Sequence, residues 1–193
     1  MRDEAEFTSF VRARGPALLR LGWLLTTDAD AAEDLVQEAL VRVVPTWDRV
    51  APGAREAYVR AAMRSLWIDG WRRRRGRLLS VVADLPEAAL LRAGRRVAGA
   101  AGTDATEGTA GRLALMDALA RLTPRQRAVL VLRFYEDLTE RQTAESMGVT
   151  VGTVKSQTRH ALDRLRVLAP DLAEAFGRSW STDGSTQAQE VRR

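Results

Sequence analysis

The stretch LTERQTAESMGVTVGTVKSQTRHALDRLRVL (residues 138–168) reads as two helices joined by a tight turn. Thr139 and Gln142 form a capping-box pair, their side chains satisfying amides that the first turn leaves open. Met147-Gly148-Val149 breaks the first helix, with Gly148 suited to a left-handed C-terminal residue, and Thr150 caps the second helix. At helical spacing Val151, Val154, Ala161, Leu162, Leu165 and Leu168 make one apolar stripe. The opposite face centres on Gly152, Ser156, Arg159 and Asp163, flanked by Thr153 and Lys155. One side is therefore core, and the other is small, polar and cationic toward its N-terminal end. A recognition helix that enters the DNA major groove N-terminus first is built this way. A helical hairpin with a merely solvated polar face shares the layout. Gly152 favours the DNA reading, because Gly in a first turn costs about 0.5–1 kcal/mol against Ala. Such a cost makes sense where backbone must approach something closely.

Composition removes several other classes of function. Cysteine is absent, so a disulfide framework and a zinc-thiolate site are excluded. His160 is the sole histidine and lies in the second helix of the pair, which leaves no histidine metal site and no Ser-His-Asp or Cys-His arrangement. No metal or other cofactor is expected. No apolar run approaches the roughly 20 residues of a bilayer span, so no membrane partner is expected. The acidic N-terminus MRDEAEFTSF lacks the apolar core of a secretory signal, and a cytoplasmic location is expected. The 193 residues carry a net charge of +5. Basic residues outnumber acidic ones 14 to 11 over 1–78 and 10 to 6 over 111–169. The excess lies in the two regions that look folded, which points to a polyanion touching both.

Outward from that stretch, the pattern is helical throughout. Residues 4–25 place Phe7, Phe10, Val11, Leu18, Leu21 and Leu25 at helical spacing, with an interruption expected near Gly15-Pro16. In TTDADAAEDLVQEALVRVVP (26–45), Asp30 and Glu33 read as an acidic capping pair, Asp28 adds charge at the positive helix end, and Pro45 ends the helix. Ala32, Leu35, Val36, Ala39, Leu40 and Val43 form its buried face, while Asp34, Gln37, Glu38 and Val41 share the other. A valine among acids hints at a protein contact. Residues 47–53 form a loop, and a long helix follows over 54–75. Its end, Trp71 followed by four arginines that include Arg72 and Arg73, exceeds what dipole compensation requires. Aromatics interleaved with arginines are what single-stranded DNA binding uses, although some of Trp47, Trp67 and Trp71 must be core. Within 79–110, residues 87–93 suit a short helix. GAAGTDATEGTAG (99–111) has no large apolar residue and reads as a tether. A second helical unit starts near Arg112, restarts at the capped Thr123-Pro124-Arg125-Gln126, and buries Ala128 to Leu132 and Phe134. A turn of helix over 171–176 and a polar, disordered tail complete the chain.

The expected fold is all-α. Two small helical domains, 1–78 and 111–169, are joined by a flexible linker at 79–110 and followed by a tail at 170–193; the second domain is a helix-turn-helix. DAAEDLVQEALVRV (30–43), WIDGWRRRR (67–75) and LTPRQRAVLVLRFYEDLTERQTAESMGVTVGTVKSQTRHALDRLR (122–166), in this order, resemble a bacterial RNA polymerase sigma factor. The resemblance is to the extracytoplasmic-function group, group 4 of the sigma-70 family, and to its actinobacterial branch. It covers residues 5–77 and 111–168. It implies an initiation subunit, not an enzyme, whose partners are core RNA polymerase and promoter DNA, with an anti-sigma factor as a further partner of such proteins. It places Asp34, Gln37, Glu38 and the neighbouring Val41 on core polymerase. It assigns the melting and reading of the −10 element to Trp47, Asp48, Arg49, Arg60, Arg64, Ser65 and Trp67, with Arg72 and Arg73 adjoining; the family commonly has Asn where Ser65 stands. Duplex reading of the −35 element falls to Gly152, Thr153, Lys155, Ser156 and Arg159.

Two other readings compete. A stand-alone helix-turn-helix regulator that binds duplex operators leaves the acidic face of 34–41 and the aromatic-arginine helix unexplained. A recombinase or nuclease needs a nucleophile or a carboxylate cluster for Mg²⁺. The nearby acids, Asp28, Asp30, Glu33 and Asp34, are accounted for by capping a helix start.

Overall fold

The computed structural model describes residues 4–81 and 107–170, with the side chains of 4–73 and 114–170. Every regular element among the described residues is helical, and the chain divides into two compact units, Met1–Ala93 and Gly94–Arg193.

The first unit is built from α1 (Glu4–Thr26), α2 (Ala29–Val43) and α3 (Arg55–Val81), with 3-10 turns at Val44–Arg49 and Pro52–Ala54. α1 runs unbroken through Pro16, contrary to the expected interruption. Proline removes one amide and frees the carbonyl four residues back. Arg12 and Pro16 are both exposed, so water can satisfy that carbonyl and the helix continues. α1 and α2 approach closely at Gly22, where an added Cβ would lie 3.0 Å from the Ala32 carbonyl oxygen. The tight turn between them puts Thr27 at φ 57, and Thr26 Oγ1 donates to Gly22 O at 2.9 Å. The cap of α2 is Asp28, not Asp30: its Oδ1 accepts from Ala31 N at 2.8 Å, with extended backbone at the cap itself. The core joins Leu18, Leu21 and Leu25 to Leu35, Val36, Ala39 and Val43, and to Val59, Met63 and Ile68 of α3.

The second unit comprises α4 (Glu107–Ala120), α5 (Pro124–Leu130), α6 (Glu140–Met147) and α7 (Val151–Leu168). Residues 79–81 and 107–110, expected in the linker, are helical. The rest of the expected linker, the helix at 87–93, and both the turn at 171–176 and the tail beyond it lie outside the described residues. Thr123 caps α5 with the full reciprocal pattern, and Pro124 occupies the first turn. α5 continues into a widened turn over Val131–Tyr135, where Glu136 N reaches Val131 O at 3.0 Å. Val129 to Leu132 are buried as expected, but Phe134 is only half-buried. Two arginines satisfy the carbonyls at the end of α4, where cations also suit the helix dipole. Arg127 Nη1 donates to Leu119 O at 3.2 Å, and Arg164 Nε to Arg121 O at 3.0 Å. Burial pushes the Arg127 guanidinium down to about 10, so it remains charged at neutral pH.

Candidate nucleic-acid interface

The helix-turn-helix is held by three local devices. At the start of α6, Thr139 Oγ1 accepts from Gln142 N at 3.2 Å and Gln142 Oε1 accepts from Thr139 N at 2.8 Å. At its end Gly148 adopts φ 60 and ψ 45, the left-handed conformation that only glycine takes without steric cost. Thr150 then caps α7, its Oγ1 accepting from Thr153 N at 3.1 Å. Through the turn Gly148 N donates to Glu145 O at 3.2 Å and Val149 N to Ala144 O at 3.0 Å.

α7 is amphipathic in the expected sense, with two exchanges. Val154, Ala161, Leu162 and Leu165 are buried, but Val151 is 38% exposed and does not belong to the apolar stripe. Thr158 is buried instead, and its hydroxyl donates to Val154 O at 2.9 Å, so the polar atom is satisfied within its own helix. Gly152, Lys155, Ser156 and Arg159 are exposed, and Thr153 is half-buried. Lys155 Nζ lies 3.5 Å from Glu140 of α6, and Arg159 Nε 4.0 Å from Asp163. Exposed pairs of this kind are worth about 0–1 kcal/mol, so both cations can be recruited by a phosphate at little cost. An added Cβ on Gly152 would meet only Thr150 Oγ1, at 3.8 Å. Nothing within the protein requires a glycine there.

In the first unit Asp34, Gln37, Glu38 and Val41 all point outward from α2, and Val41 is 73% exposed. The other predicted positions are divided by burial. Asp48, Arg49, Ser65, Arg72 and Arg73 are exposed, while Arg60 and Arg64 are half-buried. Arg60 Nη1 is held by Glu56 at 3.3 Å, and Glu56 also pairs with Arg14 at 3.2 Å. Two tryptophans must be corrected. Trp47 is fully buried, edge-on to Phe7 and Phe10 with ring centres 4.8 and 4.9 Å away, and Trp67 is 6% exposed. Both rings are buried within the unit, so neither can stack on a base. The exposed aromatic is Tyr58, 41% accessible, whose hydroxyl oxygen accepts from Thr46 Oγ1 at 3.1 Å. Counting α3 with Tyr58 in the apolar set missed it. The usable signal was its seven-residue spacing to Ser65 and again to Arg72, which puts all three on one outward line.

Among the described residues there is no cluster of acidic or histidine side chains able to hold a metal, and no helix long and apolar enough to cross a membrane.

Residues 10–77 match the family model for sigma-70 region 2, and residues 118–167 match that for sigma-70 region 4. The RNA polymerase sigma-E factor of Streptomyces avermitilis is 40% identical over 83% of each chain. The RNA polymerase sigma-E factor of Streptomyces coelicolor is 38% identical over 89% of this chain and 92% of its own. The extracytoplasmic-function sigma factor SigL of Mycobacterium tuberculosis is 31% identical over 80% of this chain and 84% of its own. Among solved structures, the sigma factor RpoE of Bartonella quintana, crystallised with the anti-sigma factor NepR, shares the fold. Its TM-score is 0.57 at 24% identity, over 84% of this chain and 95% of that one.

Proposed function

The chain belongs to the extracytoplasmic-function group of the sigma-70 family of RNA polymerase sigma factors, and from that premise we propose how its surfaces divide the work. As a sigma factor it directs RNA polymerase to promoters, and core polymerase and promoter DNA are its partners. The outward face of α2, with Asp34, Gln37, Glu38 and Val41, docks on core polymerase. The loop residues Asp48 and Arg49, with Tyr58, Arg60, Arg64, Ser65, Arg72 and Arg73 of α3, hold the melted −10 strand. Tyr58 supplies the aromatic surface there and the arginines supply phosphate neutralisation. The N-terminal end of α7 enters the duplex at −35 through Gly152, Thr153, Lys155, Ser156 and Arg159. The protein contributes binding and positioning and carries out no bond chemistry, and it works in the cytoplasm beside polymerase.

The energetics suit two weak readers. Each contact to DNA is modest alone, but two sites on one chain gain affinity by effective concentration when held at the correct separation. Core polymerase provides that separation. The observation that carries the reading is the surface of α7. Its cationic, glycine-bearing end is exposed while its other face, Val154, Ala161 and Leu165, is locked into the core.

The test is reconstitution with core polymerase and run-off transcription from a promoter library. Sigma-dependent transcripts and co-elution with core are expected from the wild type. Glu38→Arg should abolish co-elution while helix content by circular dichroism is unchanged. Core binding at wild-type affinity by that variant would remove the docking assignment.

A further inference from the structure

Arg55 is the first residue of α3 and is only 7% exposed. Its guanidinium joins three segments. Nε donates to Val50 O at 3.3 Å, Nη1 pairs with the carboxylate of Glu6 in the first turn of α1, and the guanidinium carbon lies 4.5 Å from the centre of the Trp47 ring. Phe7 and Phe10, also from α1, pack against the same ring at 4.8 and 4.9 Å. A buried cation is not an economical way to fill space. Its desolvation is recovered only by good geometry on every side, and an apolar residue of similar volume often serves stability as well or better. What arginine adds is direction: a planar fork that hydrogen-bonds in its plane and stacks on an aromatic face.

The two loop residues it grips are Trp47 and Val50, one on each side of the exposed pair Asp48 and Arg49. Val50 N in turn donates to Trp47 O at 3.2 Å, closing the same short turn. We propose that Arg55 is a positioning residue for promoter reading: it clasps Trp47 and Val50 against α1 so that Asp48 and Arg49 are presented to the melted strand in one fixed orientation. This rests on the assignment of the 48–49 loop to the −10 element made above. Loops bind with precision only when something rigid holds their ends, and here the rigid part is the first turn of α1 together with the start of α3.

The test uses full-length protein assembled with core RNA polymerase. It is selected against a pool of pre-melted promoter DNA randomised through the −10 element, and the bound fraction is sequenced. Arg55→Lys keeps the charge and the reach to Glu6 but loses the planar fork. It should lower base discrimination by about tenfold at the positions that Asp48→Ala also flattens, leaving preference at −35 unchanged. At the positions that Asp48→Ala flattens, the double variant should be no worse than Asp48→Ala alone, because there both act through one contact. Should Arg55→Lys fail to fold, Glu6→Gln takes its place and should give the same position-specific loss, smaller in size. An equal drop in affinity for all pool members, with base preferences intact, would reduce Arg55 to a structural role and overturn the proposal. So would effects that multiply in the double variant. If Asp48→Ala and Arg49→Ala flatten preferences but the clasp variants do not, only the clasp falls. If neither loop variant alters any preference, the loop assignment falls and the clasp with it.

Discussion

Gly152→Ala should separate stability from DNA binding in opposite directions. The residue lies in the first turn of α7, with helical backbone, and a Cβ built there has Thr150 Oγ1 at 3.8 Å as its nearest neighbour. That is ordinary van der Waals contact, so no strain offsets the gain in helix propensity. Alanine in place of glycine should stabilise the second unit by about 0.5–1 kcal/mol, less if the first turn frays. For a unit of this size that is a rise of roughly 2–8 °C in Tm. On DNA the sign reverses. If the backbone at Gly152 approaches a sugar-phosphate chain or a base edge to within contact of its Cα, the methyl must push the helix outward. Loss of one well-formed contact then costs about 1–3 kcal/mol, or roughly five- to 150-fold in affinity. Thermal unfolding of the free protein reads the first effect. Fluorescence anisotropy of a −35 duplex titrated with the assembled holoenzyme reads the second. Raised Tm with unaltered affinity would refute the close-approach argument, and lowered Tm would refute the geometry on which it stands.

Arg159→Ala removes a side chain that is 84% exposed and only loosely paired with Asp163, so Tm should hold. Affinity for the −35 duplex should fall by about 1–3 kcal/mol if the guanidinium grips a guanine, and unchanged promoter selectivity in the holoenzyme would end that role. Thr143 is fully buried in α6 with a hydroxyl that finds no hydrogen-bond partner. The near-isosteric Thr143→Val should therefore stabilise by roughly 1 kcal/mol in a denaturant titration, and a destabilised variant would mean that the hydroxyl is satisfied. Burial lowers the Arg127 pKa to about 10. A base whose folded pKa is depressed costs stability while it stays charged, and the cost is relieved only as pH climbs through the folded value toward the unfolded one. The difference in Tm between wild type and Arg127→Met should thus be flat from about pH 6 to 9, and a slope in that window would contradict the assignment.

Local chemistry was legible without any fold. The caps at Thr123, Thr139 and Thr150 and the left-handed Gly148 form as expected, because each is decided by residues within one turn of one another. The outward face of α2 was legible for the same reason, since helical periodicity alone sorts Asp34, Gln37, Glu38 and Val41 from Leu35, Val36 and Ala39. Two features of the first unit were misread, each for its own reason. Pro16 looked like a break because its cost depends on whether the freed carbonyl reaches water, which is a matter of exposure. Asp28 rather than Asp30 caps α2 because the left-handed Thr27 turns the chain two residues earlier than the capping-pair spacing suggested.

By itself, the order of residues determined that the described residues are helical and where α5, α6 and α7 begin. Those properties follow from backbone hydrogen bonding and a 3.6-residue repeat, both local. Only the tertiary structure decided which aromatic faces solvent. Trp47, Trp67 and Tyr58 are equally apolar as letters, and they part company only when α1 closes over the 47–50 turn and Arg55 lies on the indole. Competition for one interior is a property of the whole unit, and no window along the chain contains it.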